Sequence, residues 1–387
     1  MPSSPNIPRV GDKKAIWKNK EKEDADNIMG DLPTTLTTTH DQGNRSSMSR
    51  VSPMKTQRGS VVSERSLHAM DYIPEDNRYK WCMRLMSKSG TSVLRKEFMK
   101  HKKYKPAEYT YEACKRNETK NRYDDVICID ATRVILKYRP PDDDYIHANW
   151  MNMPDGQKYI CTQGPLPETI LDFWHMIFTE KSNVIVMLCA FKEDQNEKCA
   201  LYHPKVKTEC GKFGPYRVYL KEIKAKPFNS VRHLVLFVKK DQKTSMLVNH
   251  LSCTDWPDHT APMDAAPIVG MLKLARELSK GTPIIVHCSA GIGRSATFVG
   301  IDYAMQKIRD DSNTTMVEVL RDLRNQRFQS IQGIIQYIFL HVCVLEGFAD
   351  AGVIKRSARY TQFMNDYRKM LTAFNKRIAA KMKKDEK

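Results

Sequence analysis

The sequence predicts an α/β fold, and three observations carry that expectation. Apolar runs of strand length alternate with longer stretches of helical period. An apolar content of 41% over 387 residues is enough for a large core, while 28% charged residues is ordinary for a soluble domain. Residues 283–287 read as a buried strand that runs into a loop of small residues opening a helix. The elements follow in chain order. Residues 1–70 are Ser/Thr/Lys-rich, poor in aromatics and without a sustained period, so they are expected to be a disordered basic N-terminal region. From residue 71 the texture changes, and Tyr72, Trp81, Met83, Leu85 and Phe98 open a core-forming region that continues to residue 350. Within it, strands are expected at 126–129, 159–162, 184–188, 216–220, 231–238, 246–253 and 283–287. Helices are expected at 167–180, 264–280, 295–309, 314–325 and 332–348. Residues 351–387 are expected to form a basic helical tail, because Phe363, Tyr367, Met370, Leu371, Phe374 and Ile378 recur at helical spacing. No internal repeat is present.

Several function classes are disfavoured at once. The longest strongly apolar run, 184–191, is about eight residues, whereas a membrane-spanning helix needs about twenty. The N-terminus has no apolar signal region, so a cytoplasmic location is expected. Ten cysteines in a chain of this size, with no Cys-x-x-Cys pair, fit a reduced protein better than a disulfide framework or a zinc site. The net charge of +18 is concentrated toward the end, where residues 355–387 hold eleven Lys/Arg against three Asp/Glu. The basic amphipathic tail is expected either to pack on the domain or to project as a solvated tail; the sharper alternative is that it contacts an anionic membrane surface or an acidic partner. Charge alone does not make a nucleic-acid binder, and no RNA- or DNA-binding motif accompanies it, so no specific nucleic acid is expected.

The segment His287-Cys288-Ser289-Ala290-Gly291-Ile292-Gly293-Arg294-Ser295 carries the chemistry. Backbone N–H groups at a helix N-terminus form an anion site. Small residues let the backbone curl around a phosphate without side-chain clash. Arg294, six residues after Cys288, can fold back as a bidentate guanidinium fork. The same positive field favours the thiolate, the nucleophilic form of a cysteine. A buried structural role suits Cys161, Cys189, Cys199, Cys210 and Cys343, but an inert cysteine needs no glycine-rich loop with an arginine. Gly291-x-Gly293-x-x-Ala296 also matches a dinucleotide fingerprint. That fold requires a further parallel strand ending in an acidic residue about twenty positions on. The following segments read as helical instead, so the fingerprint is set aside.

The cysteine segment closely resembles the signature of the protein tyrosine phosphatases, and the resemblance extends over roughly residues 90–345. It implies a single domain with a twisted mixed β-sheet flanked by helices, a non-receptor member and substrates among phosphotyrosine-containing proteins. Lys120-Asn121-Arg122-Tyr123 looks like the phosphotyrosine-recognition motif, which implies that Tyr123 stacks on the substrate ring and Asp125 holds the substrate backbone. Thr254-Asp255-Trp256-Pro257-Asp258 resembles the mobile acid loop, implying Asp258 as general acid and later base, and Trp256 as a hinge contact to Arg294. Arg327, Gln332 and Gln336 resemble the glutamine loop, with Gln332 orienting water. Ser289, Ala290, Gly291, Ile292 and Gly293 then cradle the phosphate, Ser295 assists the leaving thiolate, and His287 orients the loop. Glu193 and Lys198 resemble the supporting loop for Arg294 and Asp258, and Lys120 supports the recognition motif. Tyr159-Ile160-Cys161-Thr162-Gln163-Gly164-Pro165 and Asp172-Phe173-Trp174 match a structural segment. Neither metal nor cofactor is expected, because loop dipoles and Arg294 supply the positive charge, and the protein is expected to be a monomer. Departures from the pattern are His147 for Asn, Thr260 for Gly in the acid loop, Ala296 for Gly and His203 for Trp.

Overall fold

The computed structural model describes residues 75–87, 90–193 and 195–385. The expected disordered region, 1–70, lies outside the described residues, as does Tyr72. The strands are β1 (Arg133–Ile135), β2 (Tyr145–Asn152), β3 (Lys158–Thr162), β4 (Val184–Met187), β5 (Lys192–Glu193), β6 (Asn196–Glu197), β7 (Cys210–Phe213), β8 (Tyr216–Ile223), β9 (Val231–Lys239), β10 (Ser245–Cys253) and β11 (Ile284–His287). The α-helices are α1 (Asn77–Ser87), α2 (Gly90–His101), α3 (Glu112–Arg116), α4 (Ile170–Thr179), α5 (Ala266–Ser279), α6 (Arg294–Asp310), α7 (Met316–Gln326), α8 (Ile334–Asp350) and α9 (Ala358–Asp385).

Nine strands form one mixed sheet in the order β1-β2-β3-β11-β4-β10-β9-β8-β7. Its centre is parallel: β11 pairs with β3 and β4, and β4 pairs with β10. The flanks are antiparallel. Every residue of β4 and β11 is buried, as expected of continuous apolar strands covered on both faces. β5 and β6 make a separate small hairpin. The sheet thus agrees with the expected fold class.

The expected strand at 126–129 does not form. Its backbone is satisfied by side chains of β2: His147 Nε2 lies 3.0 Å from the Val126 carbonyl, and Asn149 Nδ2 donates to the Ile129 carbonyl at 3.0 Å. β2 itself lacks the alternation of a half-buried strand, since its first five residues are all buried.

The tail helix α9 packs on α1, α2 and α8. It buries Tyr360, Phe363, Met364, Tyr367, Leu371 and Phe374. Its apolar stripe is therefore occupied by the domain, which leaves the basic side of the helix outward.

Candidate active site

The central strand β11 delivers Cys288 to the sheet's carboxyl edge, and the loop that follows opens α6 at Arg294. The Leu188 N–H fixes the strand's end by donating to the His287 carbonyl at 2.8 Å. Cys288 is buried, and the Gly291 N–H donates to its Sγ at 3.2 Å. Gly291 has φ +70°, and a Cβ there would stand 2.1 Å from the Thr162 carbonyl oxygen, so a glycine is required. Fully buried Arg327 holds the outer side of the loop. Its Nε donates to the Gly291 carbonyl at 2.6 Å, and Nη2 to the Ala290 carbonyl at 3.1 Å. With those carbonyls turned to Arg327, the loop's N–H groups are free to face a phosphate. Sequence reasoning used Arg327 only as a marker, because an arginine serving carbonyls from across the fold leaves no local pattern.

Arg294 is fully buried. Its Nη1 donates to Glu193 Oε1 at 2.6 Å and to the Trp256 carbonyl at 2.8 Å, while Nη2 lies 3.2 Å from Asp258 Oδ1. Nε and Nη2 have no hydrogen-bond acceptor among the described residues. Two buried guanidinium donors in that state favour an incoming anion. Lys198 Nζ sits 3.0 Å from Asp258 Oδ2. Burial works to raise the Asp258 carboxyl, but Arg294, His259 and Lys198 overcome it and hold Asp258 well below the usual carboxylate range.

One pocket is lined by Cys288, Gly293, Tyr123, Asp125, Asp258 and Gln332, among others. Tyr123 packs with Val126, Ala290 and Ile292, and its hydroxyl is hydrogen-bonded to Ser289 Oγ. Arg122 anchors this wall by donating to the Gly164 and Pro165 carbonyls at 2.9 and 2.7 Å. Gln336 and Lys120 each hold neighbouring groups of the fold. Gln336 is fully buried, and its Oε1 accepts from the Gln332 and Gly333 N–H groups at 3.1 and 3.2 Å. Lys120 pairs with Asp143 and Asp172 at 3.0 and 3.2 Å. Ser295 Oγ is buried with no hydrogen-bond partner among the described residues. Just before Gln332, Ile331 has φ +59°, a costly conformation for a β-branched residue. Its N–H donates to the Ile292 carbonyl at 2.8 Å, and its carbonyl accepts from Arg324 at 3.2 Å.

Burial pulls His287 down to about 4, so the ring is neutral near pH 7. Its Nδ1 lies 3.2 Å from the Cys288 carbonyl, which only accepts, so Nδ1 carries the proton. Nε2 must then accept from the Tyr202 hydroxyl at 2.8 Å. Tyr202 in turn accepts from His250 Nε2 at 2.7 Å, which leaves His250 Nδ1 bare and without a partner among the described residues. Sequence reasoning missed Tyr202 and His250, which complete the hydrogen-bond chain from His287.

A loop of small residues around a buried cysteine, at the carboxyl end of the central strand of a mixed sheet, defines the class: an α/β protein with an anion-receptive loop beside a thiol. Comparison with known proteins makes it specific. The family profile described as protein-tyrosine phosphatase matches residues 117–346. The chain is 34% identical over 235 residues to receptor-type tyrosine-protein phosphatase C of Homo sapiens, covering 59% of this chain and 18% of that protein. It is 35% identical over 230 residues to tyrosine-protein phosphatase non-receptor type 7 of Rattus norvegicus, covering 58% and 62%. The chain thus spans less than two thirds of the length of either relative. The solved catalytic domain of human protein tyrosine phosphatase non-receptor type 18 superposes with a TM-score of 0.62 at 32% identity, covering 70% of this chain and 99% of that one. PTPN18 in complex with HER2 phospho-peptides gives 0.64 at 30% identity, covering 70% and 98%. The chain belongs to the protein-tyrosine phosphatase family. Among the described residues, no helix is long and apolar enough to cross a membrane.

Proposed function

We propose that this chain hydrolyses phosphotyrosine in proteins through a phosphocysteine on Cys288. The observation that carries the proposal is the shared pocket of Cys288, Asp258, Tyr123 and Gln332, set beside the unsatisfied donors of Arg294. In the first step the Cys288 thiolate attacks phosphorus in line. The S–P bond forms, the P–O bond to the tyrosyl oxygen breaks, and Asp258 gives that oxygen a proton. Arg294 and the loop N–H groups stabilise the equatorial oxygens. The second step runs with water as nucleophile, oriented by Gln332. Asp258 takes the water's proton, the S–P bond breaks, and Cys288 leaves as thiolate beside Ser295. The ion pair of Asp258 with Arg294 bears on the timing of the first step. A phosphate that takes over Arg294 removes the main attraction holding Asp258 ionised, so its affinity for a proton rises as substrate enters.

Tyr123 makes the pocket deep enough for a phosphorylated phenol, while the shorter phosphoserine falls short of Cys288. Relatives in complex with phospho-peptides support the substrate class. The test is turnover of a phosphotyrosine peptide, without added metal, by wild type and Cys288→Ser, beside a phosphoserine peptide. Turnover of the phosphotyrosine peptide alone, reduced to background by Cys288→Ser, is expected. Tight binding without turnover by the wild type would instead make the chain a phosphopeptide-binding member of its family.

A further inference from the structure

The loop that carries Asp258 is tied to the last helix of the chain. Thr260, two residues after Asp258 and itself buried, donates its hydroxyl to Asn375 Oδ1 of α9 at 3.1 Å. Tyr367, also on α9 and 1% exposed, donates its hydroxyl to the Pro262 carbonyl at 2.6 Å. Phe339 of α8 lies between the two partners of an aromatic chain. It stacks on Tyr367 with ring centroids 5.9 Å apart and meets Trp256 edge-on at 5.2 Å. Trp256 closes the loop on itself by donating Nε1–H to the Thr260 carbonyl at 2.8 Å. Between these anchors His259 has φ +57°, in the left-handed region. A non-glycine residue held there persists only where its surroundings impose it.

We propose that Tyr367 and Asn375 are positioning residues for the general acid: through Pro262 and Thr260 they hold the Asp258 loop over Cys288. The inference rests on the reading of Asp258 as the acid of the first step. It also gives a use to Thr260, whose hydroxyl is the group Asn375 holds; a glycine at that position has nothing to offer α9. Each hydrogen bond of this kind changes the closed population by about two- to tenfold.

The experiment uses the full chain and reads kcat/KM, which reports the steps through departure of the phenol. Two aryl phosphates are compared: phenyl phosphate, a poor leaving group, and a polyfluorinated aryl phosphate whose phenol leaves unprotonated. The quantity read is the ratio of poor to good. Asp258→Asn must lower this ratio by about 10²-fold or more; if it does not, the assignment of the acid fails, and the clamp with it. Given that result, Tyr367→Phe and Asn375→Ala should each lower the ratio about two- to tenfold, with turnover of the fluorinated substrate held within about twofold of wild type. Thr260→Val should cost the same as Asn375→Ala and add nothing in the double variant. A ratio unmoved by Tyr367→Phe and Asn375→Ala, while Asp258→Asn lowers it, overturns the proposal. A parallel fall on both substrates overturns it too, because that is the mark of a merely structural role. Should Tyr367→Phe fold poorly, the exposed Asn375 carries the test alone.

Discussion

Burial lowers the proton affinity of four histidines in the fold. His287 is pulled down to about 4, His147 to about 3 with help from Arg327, His250 well below its ordinary value, and His203 in the same direction. An unfolded histidine titrates near 6.5. From there down to about 4 the unfolded chain binds protons that the folded chain does not, so stability falls as pH is lowered through that window. Asp258 acts elsewhere on the scale: its carboxyl is depressed when folded, so its stabilisation is present above about 3.9 and is lost only below that. His147→Asn isolates one contribution. An amide in its place can still accept from Arg327 where Nδ1 does now, and it does not titrate. Urea unfolding at pH 7 and pH 5 should show the variant losing about 2 kcal/mol less than wild type between the two. Equal losses would mean that His147 takes up its proton in the folded protein.

Helix α7 shows how an element remote from the chemistry supports it. Thr315 caps it through a reciprocal pair: its Oγ1 accepts from the Glu318 N–H at 3.2 Å, and Glu318 accepts from the Thr315 N–H at 2.9 Å. Near its other end Arg324 holds the Ser330 and Ile331 carbonyls, and Arg327 follows directly. Thr315→Ala should cost about 1 kcal/mol in thermal or urea unfolding and leave kcat/KM within about twofold of wild type. A loss of kcat/KM of tenfold or more in folded protein would show that the cap governs the site as well as the helix. The elements legible in the sequence are those whose burial is written locally. β4 and β11 are unbroken apolar runs, and α5 to α9 keep a helical period. The error at 126–129 and the omission of β2 share one cause. An apolar run looks the same whether a ladder or the side chains of His147 and Asn149 satisfy its backbone, and a strand buried on both faces shows no alternation. Helices α1 and α2 were missed as elements although Trp81, Leu85 and Phe98 were read as core. The Cys288 loop was legible because its residues are contiguous; Arg327, Tyr202 and the contacts of α9 to the Asp258 loop join residues far apart in sequence, and no spacing records them.

At the scale of the whole molecule the chain carries +18, and the charge is placed away from the catalytic centre as well as near it. Residues 204–245, which run from before β7 to the start of β10, hold nine lysines and two arginines against three acids. The outward side of α9 adds more. Inside the site, by contrast, the cations are matched: Arg294 has Glu193 and Asp258, and Lys198 shares Asp258. On the proposed function, a phosphotyrosine peptide with acidic flanks is expected to meet a long-range attractive field that a peptide with basic flanks does not. Because the Debye length is about 10 Å at 0.1 M, salt should remove that advantage. Between about 20 and 200 mM salt, kcat/KM for the acidic peptide is expected to fall about three- to tenfold with kcat unchanged, and for the basic peptide to change less. The comparison of peptides separates steering from any effect of salt on the active-site ion pairs, which both substrates share. Should both peptides respond alike, the excess charge acts too far from the pocket to guide substrate.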